Sequence, residues 1–162
     1  MEKEESALES LKKKYSEVRD KYDLPSFEEM NQDFSVEKIS ESETDLLIRE
    51  IRKFISEKFS NYLRFIEALI HPVNSPLFVF SILKTMSNSD KERLNEIYKG
   101  LAKREVELIE LDIAYNEEKE IEFIRSAFAE WQKIKVEMIG IFDAVKMNWD
   151  NKGEGKNNGY FG

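Results

Sequence analysis

From Ile121 to Trp149 apolar residues recur at steps of three and four, through Ile124, Phe128, Trp131, Met138, Phe142 and Val145, with one break at Lys135. That spacing is the seam of a long amphipathic helix. Leu8, Leu11, Tyr15, Val18 and Tyr22 step the same way toward Asp23-Leu24-Pro25, where proline ends a first helix. Ser26 followed by Glu29 has the form of a capping box, and Phe27, Met30 and Phe34 give a short connecting helix its apolar face.

A broader stripe follows, carrying Leu47, Ile51, Phe54, Ile55, Phe59, Tyr62, Leu63, Ile66, Leu69 and Ile70, and Pro72 stops it near His71. Ser40 with Glu43 repeats the cap signature, while Val36 and Ile39 allow an earlier start. Run from Glu37 to Ile70, this helix is about 50 Å long. Ser75-Pro76 places a cap and a first-turn proline before Leu77, Phe78, Val79, Phe80, Ile82, Leu83 and Met86, a helix apolar on nearly every side. Ser89 and Glu92 predict the start of a further helix through Leu94, Ile97, Tyr98, Leu101, Leu108, Leu111 and Tyr115. Asn116 is the expected turn into the last helix, with one continuous helix as the rival.

The expected fold is therefore all-α: an elongated antiparallel helical bundle with three long helices, a short apolar helix as a plug, and a coiled-coil-like N-terminal helix. Residues 1–150 are expected to form one helical domain, with 1–23 a semi-independent helix laid along the outside or exchanged between subunits. Residues 151–162 hold four glycines and three asparagines, which predicts a disordered tail.

Composition narrows the chemistry. The 162 residues are 41% hydrophobic and 36% charged, with no cysteine, so disulfides, thiolate metal sites and cysteine nucleophiles are excluded. The charged start Met1-Glu2-Lys3-Glu4-Glu5 is unlike a secretory leader and no stretch is long enough to span a bilayer, so a soluble, cytoplasmic protein with no membrane contact is expected. His71 is the only histidine, set one turn after Glu67 at a helix end, where a capping role explains it. No Glu-x-x-His pair supports a di-iron site. Glu105 and Asp112, seven apart on one apolar face, together with Glu67 are the candidates for a carboxylate metal site, and the competing reading makes them and Lys135 boundary charges or ion pairs that fix register.

No glycine-rich loop precedes a helix, so no cofactor is expected. Lys12-Lys13-Lys14 and the group Arg49, Arg52 and Lys53 read as solvated faces against a net charge of -8, which argues against direct nucleic-acid binding. From Glu105 to Glu130 there are nine acidic and two basic residues, so nearly all the net charge is local. With a turn at Asn116, Glu107, Glu110, Glu117, Glu118, Glu120 and Glu122 gather at a negative tip suited to a basic protein partner, or to solubility alone.

Phe78, Phe80 and Leu83 are either core or subunit interface, and Leu8, Leu11, Tyr15 and Val18 form a narrow seam suited to coiled-coil pairing. These features favour a non-catalytic helical interaction or scaffold module that acts through protein contacts and assembles as a homo-oligomer, with a homodimer expected. The alternatives are a carboxylate-based metal binder or metal-dependent enzyme, and a regulator that reaches nucleic acid only through a partner.

Overall fold

The computed structural model describes residues 5–155, with side chains to residue 151. Every regular element among them is helical: α1 Ala7–Tyr22, α2 Phe27–Phe34, a 3-10 turn Val36–Glu41, α3 Leu47–Ile70, α4 Leu77–Thr85, α5 Asn88–Ile113 and α6 Glu117–Gly155. None of these helices is long and apolar enough to cross a membrane.

Local chemistry sets most boundaries. The Ser26 hydroxyl accepts from the Glu29 amide while the Glu29 carboxylate accepts from the Ser26 amide, so α2 begins where the cap signature predicts. Ser6 and Glu9 form the same reciprocal pair at the start of α1. Asp23 and Ser35 end α1 and α2 in the left-handed region, at φ 53° and 54°.

The long helix, for which the sequence offered a start at the Ser40 cap or earlier, begins at Leu47 instead, and at 24 residues it is about 36 Å long. The left-handed Ser35 redirects the chain, and Val36 and Ile39, three apart, are both buried on one side of a 3-10 turn. The Ser40 hydroxyl donates back to the Glu37 carbonyl and caps nothing ahead of it, while Thr44 accepts from the Leu46 amide beside the true start of α3. Two other expected caps also shift. Pro76 rather than Ser75 occupies the cap position of α4, and Ser87, two residues before Ser89, accepts from the Asp90 amide at the start of α5.

Asn116 is a turn, so α5 and α6 are separate helices. It works by capping rather than by left-handed geometry, since its Oδ1 accepts from the Lys119 amide. At the other end α6 continues through Asn151 to Gly155, into the segment expected to be a tail, and residues 156–162 lie outside the described residues.

Contacts divide the described chain into two compact units, residues 5–60 with 104–130 and residues 61–103 with 131–155. In the first, Arg52 meets Asp112 and Ser60 meets Glu105, a descending register that makes α3 and α5 antiparallel. Its core holds Ile51, Ile55, Phe59, Leu108, Leu111, Ile121 and Ile124. α1 packs on the 3-10 turn and α2 of the same chain, with Leu11 and Tyr15 buried there. In the second unit Tyr62 meets Trp131 at 5.1 Å between ring centroids and Phe65 meets Phe142 at 5.9 Å, so α3 and α6 run in the same direction. The buried side chains there include Ile66, Leu69, Ile82, Leu94, Leu101, Ile134 and Ile141.

Candidate functional site

Two surfaces stand out, one in each unit. In the second unit α4 is held by its C-terminal half: Asn148 Nδ2 donates to the Thr85 carbonyl at 2.8 Å and Trp149 Nε1 donates to the Ser81 carbonyl at 3.2 Å. Val79, Ile82 and Met86 turn into the core. A helix this apolar cannot bury all its sides against one layer of neighbours, and the remainder faces water. Leu77 is 85% exposed, Phe78 58% and Phe80 38%, with Val73 also exposed just before the helix. Leu83, half-buried, forms one wall of an open pocket of about 310 Å³. Leu69 and Leu94 are its buried floor, Ile70 and Pro72 line it, and Lys91 and Asn95 stand at the rim. Thus Phe78 and Phe80 are on the surface and Leu83 borders a hollow beside them.

The N-terminal seam divides differently. Leu11 and Tyr15 are buried within their own chain, where the Tyr15 hydroxyl donates to the Pro25 carbonyl at 2.7 Å and its ring meets Phe27 edge-on. Burial pushes the Tyr15 phenol well above its ordinary value, so it remains a donor throughout the physiological range. Leu8 is exposed and Val18 half-buried, leaving only the edge of that seam for another molecule.

In the first unit the α5–α6 hairpin bounds an open groove of about 600 Å³. Leu111 and Phe123 are its buried apolar part, and Glu107, Glu110, Lys119 and Glu122 surround them. Arg104 organises one end: its Nη1 donates to Glu107 at 2.8 Å and to Ser126 at 2.9 Å, and its Nε donates to Glu130. Glu118 is exposed nearby in sequence, and Glu117 accepts from the Tyr22 hydroxyl.

Glu120 departs from the expected acidic tip. It is 0% exposed, and Arg52, expected on a solvated basic face, is 4% exposed beside it. Arg52 Nε lies 2.6 Å from Glu120 Oε2 as an ion pair that is not aligned for a hydrogen bond, and Arg52 Nη2 donates to Asp112 at 2.8 Å. Removal from water raises the Glu120 pKa above its ordinary value, and this outweighs the opposing pull of Arg52 and Arg49. Arg49 stacks on the Tyr115 ring at 5.2 Å. The cluster joins α3, α5 and α6, and buried ion pairs of this kind fix register more than they stabilise. Sequence spacing offered a weak signal, since Arg52 is one residue after Ile51 and three before Ile55 on the broad stripe.

The candidate metal ligands are not brought together. Glu105 accepts from Ser60 at 2.9 Å, Asp112 is bound to Arg52, and Glu67 belongs to the second unit, where it accepts from the Tyr98 hydroxyl at 3.5 Å. Among the described residues no three of His, Asp and Glu are grouped to hold a metal ion. His71 is exposed, and its backbone amide donates to the Glu67 carbonyl to close the last turn of α3. No family model, curated protein or solved structure matched the chain.

Proposed function

We propose that the chain is a non-catalytic helical interaction module that self-assembles through α4 and offers the acidic α5–α6 groove to a basic protein partner. The observation that carries the reading is the exposure of Leu77, Phe78 and Phe80 on a helix with its opposite side anchored in a core. Contiguous apolar ridges of this kind mark contact surfaces in soluble proteins, because leaving them in water is unfavourable at roughly 25 cal/mol for each Å².

The groove supports a second contact surface of the same module. Leu111 and Phe123 supply an apolar seat, and Glu107, Glu110 and Glu122 set the sign of a partner's charge. Arg104 ties down Glu107 and Glu130, which leaves Glu110 and Glu122 to meet an incoming cation. Binding there falls with added salt, since exposed charges are screened within about 10 Å at 0.1 M ionic strength.

Sedimentation velocity over a range of protein concentrations tests the assembly. The wild-type chain is expected to shift toward a larger species as concentration rises, and Phe78→Asp to remain a monomer with unchanged helicity by circular dichroism. A wild-type monomer at every concentration, or assembly unaffected by Phe78→Asp, removes the reading.

A further inference from the structure

In the first unit α5 carries two apolar stripes, and one of them faces away from the core. Val106 is 56% exposed, Ile109 54% and Ile113 81%, although the same stretch of helix buries Leu108 and Leu111. With 3.6 residues per turn, the three exposed side chains fall within about 60° of one another, and Leu108 and Leu111 lie on the opposite side. One apolar face is enough to hold a surface helix in its fold. The outer stripe steps by three and four, which is the seam that a second helix covers.

What flanks the stripe selects its cover. From Glu105 to Ile113 every residue that is not apolar is acidic. Glu110 borders the stripe on the side of the groove and Glu105 on the side of α3, each roughly 70° from its middle, with Glu107 and Asp112 further round. In helix pairs these flanking positions set partner choice by charge. Two copies of this face bring carboxylate against carboxylate, which disfavours self-pairing here, whereas lysine or arginine on a partner meets an acid on both flanks.

We infer that α5 docks an amphipathic helix of a basic partner protein, with the partner's apolar side chains on Val106, Ile109 and Ile113 and its flanking lysine or arginine side chains against Glu110 and Glu105. This rests on the reading of the acidic groove as a docking surface and names what docks there. Ile113 also lines that groove, so stripe and groove are continuous. From Val106 to Ile113 the stripe is about 10 Å long, which matches two turns of a partner helix. Three aliphatic side chains, none fully exposed, make a small seat, so the complex is transient and takes its specificity from charge.

The probe is a three-heptad peptide with leucine at positions a and d and lysine at e and g, and its control carries glutamate in place of the lysine. Titrated with the full chain and followed by fluorescence anisotropy, the lysine peptide is expected to bind at least tenfold more tightly than the control. It should lose at least tenfold in affinity between about 0.05 and 0.3 M salt. Ile109→Ser combined with Ile113→Ser should weaken binding at least tenfold with helicity unchanged, and Ile139→Ser, at an exposed apolar side chain in the other unit, should not. Binding weakened by Glu122→Lys, on the α6 wall of the groove, but not by the Ile109 and Ile113 changes overturns helix docking and leaves the groove as the docking surface. A lysine peptide that does not bind, or binds no better than its control, overturns both.

Discussion

Replacing Arg52 by alanine tests whether the buried cluster joining α3, α5 and α6 is energetically what its geometry implies. The guanidinium is 4% exposed and the Glu120 carboxylate 0%, with neither carboxylate oxygen in a hydrogen bond. Removing Arg52 strands that carboxylate with only the field of Arg49 to oppose its desolvation, and breaking a buried pair in this way costs about 3–5 kcal/mol. Against the 5–15 kcal/mol typical of whole domains, the loss is large, and for a chain of this size it corresponds to a fall in melting temperature of roughly 10 °C.

The pH dependence has a definite sign. The folded-state pKa of Glu120 lies above its ordinary 4.5, so its favourable contribution is full below 4.5 and is lost as pH rises through the raised value. Without Arg52 the pKa moves higher still, which deepens the deficit at neutral pH and lets it narrow as the pH falls toward 4.5. Urea unfolding between pH 4.5 and 7.5, at protein concentrations low enough to avoid association, measures both effects. A variant within about 1 kcal/mol of wild type at pH 7, or a deficit that widens toward acid, refutes the argument. Arg52→Met combined with Glu120→Leu should recover most of the lost stability, because the desolvation penalty disappears with the charges.

Other substitutions test separate parts of the structure. Gly140 sits on the exposed side of α6 with open space where a Cβ would project, so Gly140→Ala should raise stability by roughly 0.5–1 kcal/mol in urea unfolding. Ser87→Ala should lower stability by about 1 kcal/mol and Ser89→Ala should do little, a contrast that thermal melts of the two variants resolve. Tyr15→Phe should cost about 1 kcal/mol by removing the donor to the Pro25 carbonyl, with the edge-on contact to Phe27 retained. If the acidic groove receives a basic partner, Glu110→Lys with Glu122→Lys should abolish a salt-sensitive interaction without altering α4-dependent assembly.

What the sequence could announce depended on the range of the interaction behind it. The reciprocal bonds of Ser26 and Glu29 span three residues, and the end of α1 before Pro25 follows from local sterics, so both were readable in advance. Asn116 was legible as a turn for the same reason, its side chain closing on Lys119. Where several local solutions competed, the wrong one could be chosen: Ser87 and Ser89 both look like caps, and Val36 and Ile39 fit an α-helical start as well as the 3-10 turn they form.

Apolar periodicity alone determined that this chain is helical and which side of each helix seeks cover, because a 3.6-residue repeat leaves a stripe that must be buried somewhere. It did not determine what supplies that cover. Only tertiary packing placed Glu120 and Arg52 out of water, buried Leu11 and Tyr15 within their own chain, and left Leu77 and Phe78 outside the core. A side chain's pattern along a helix fixes its direction, whereas its burial depends on whether a neighbour distant in sequence stands there.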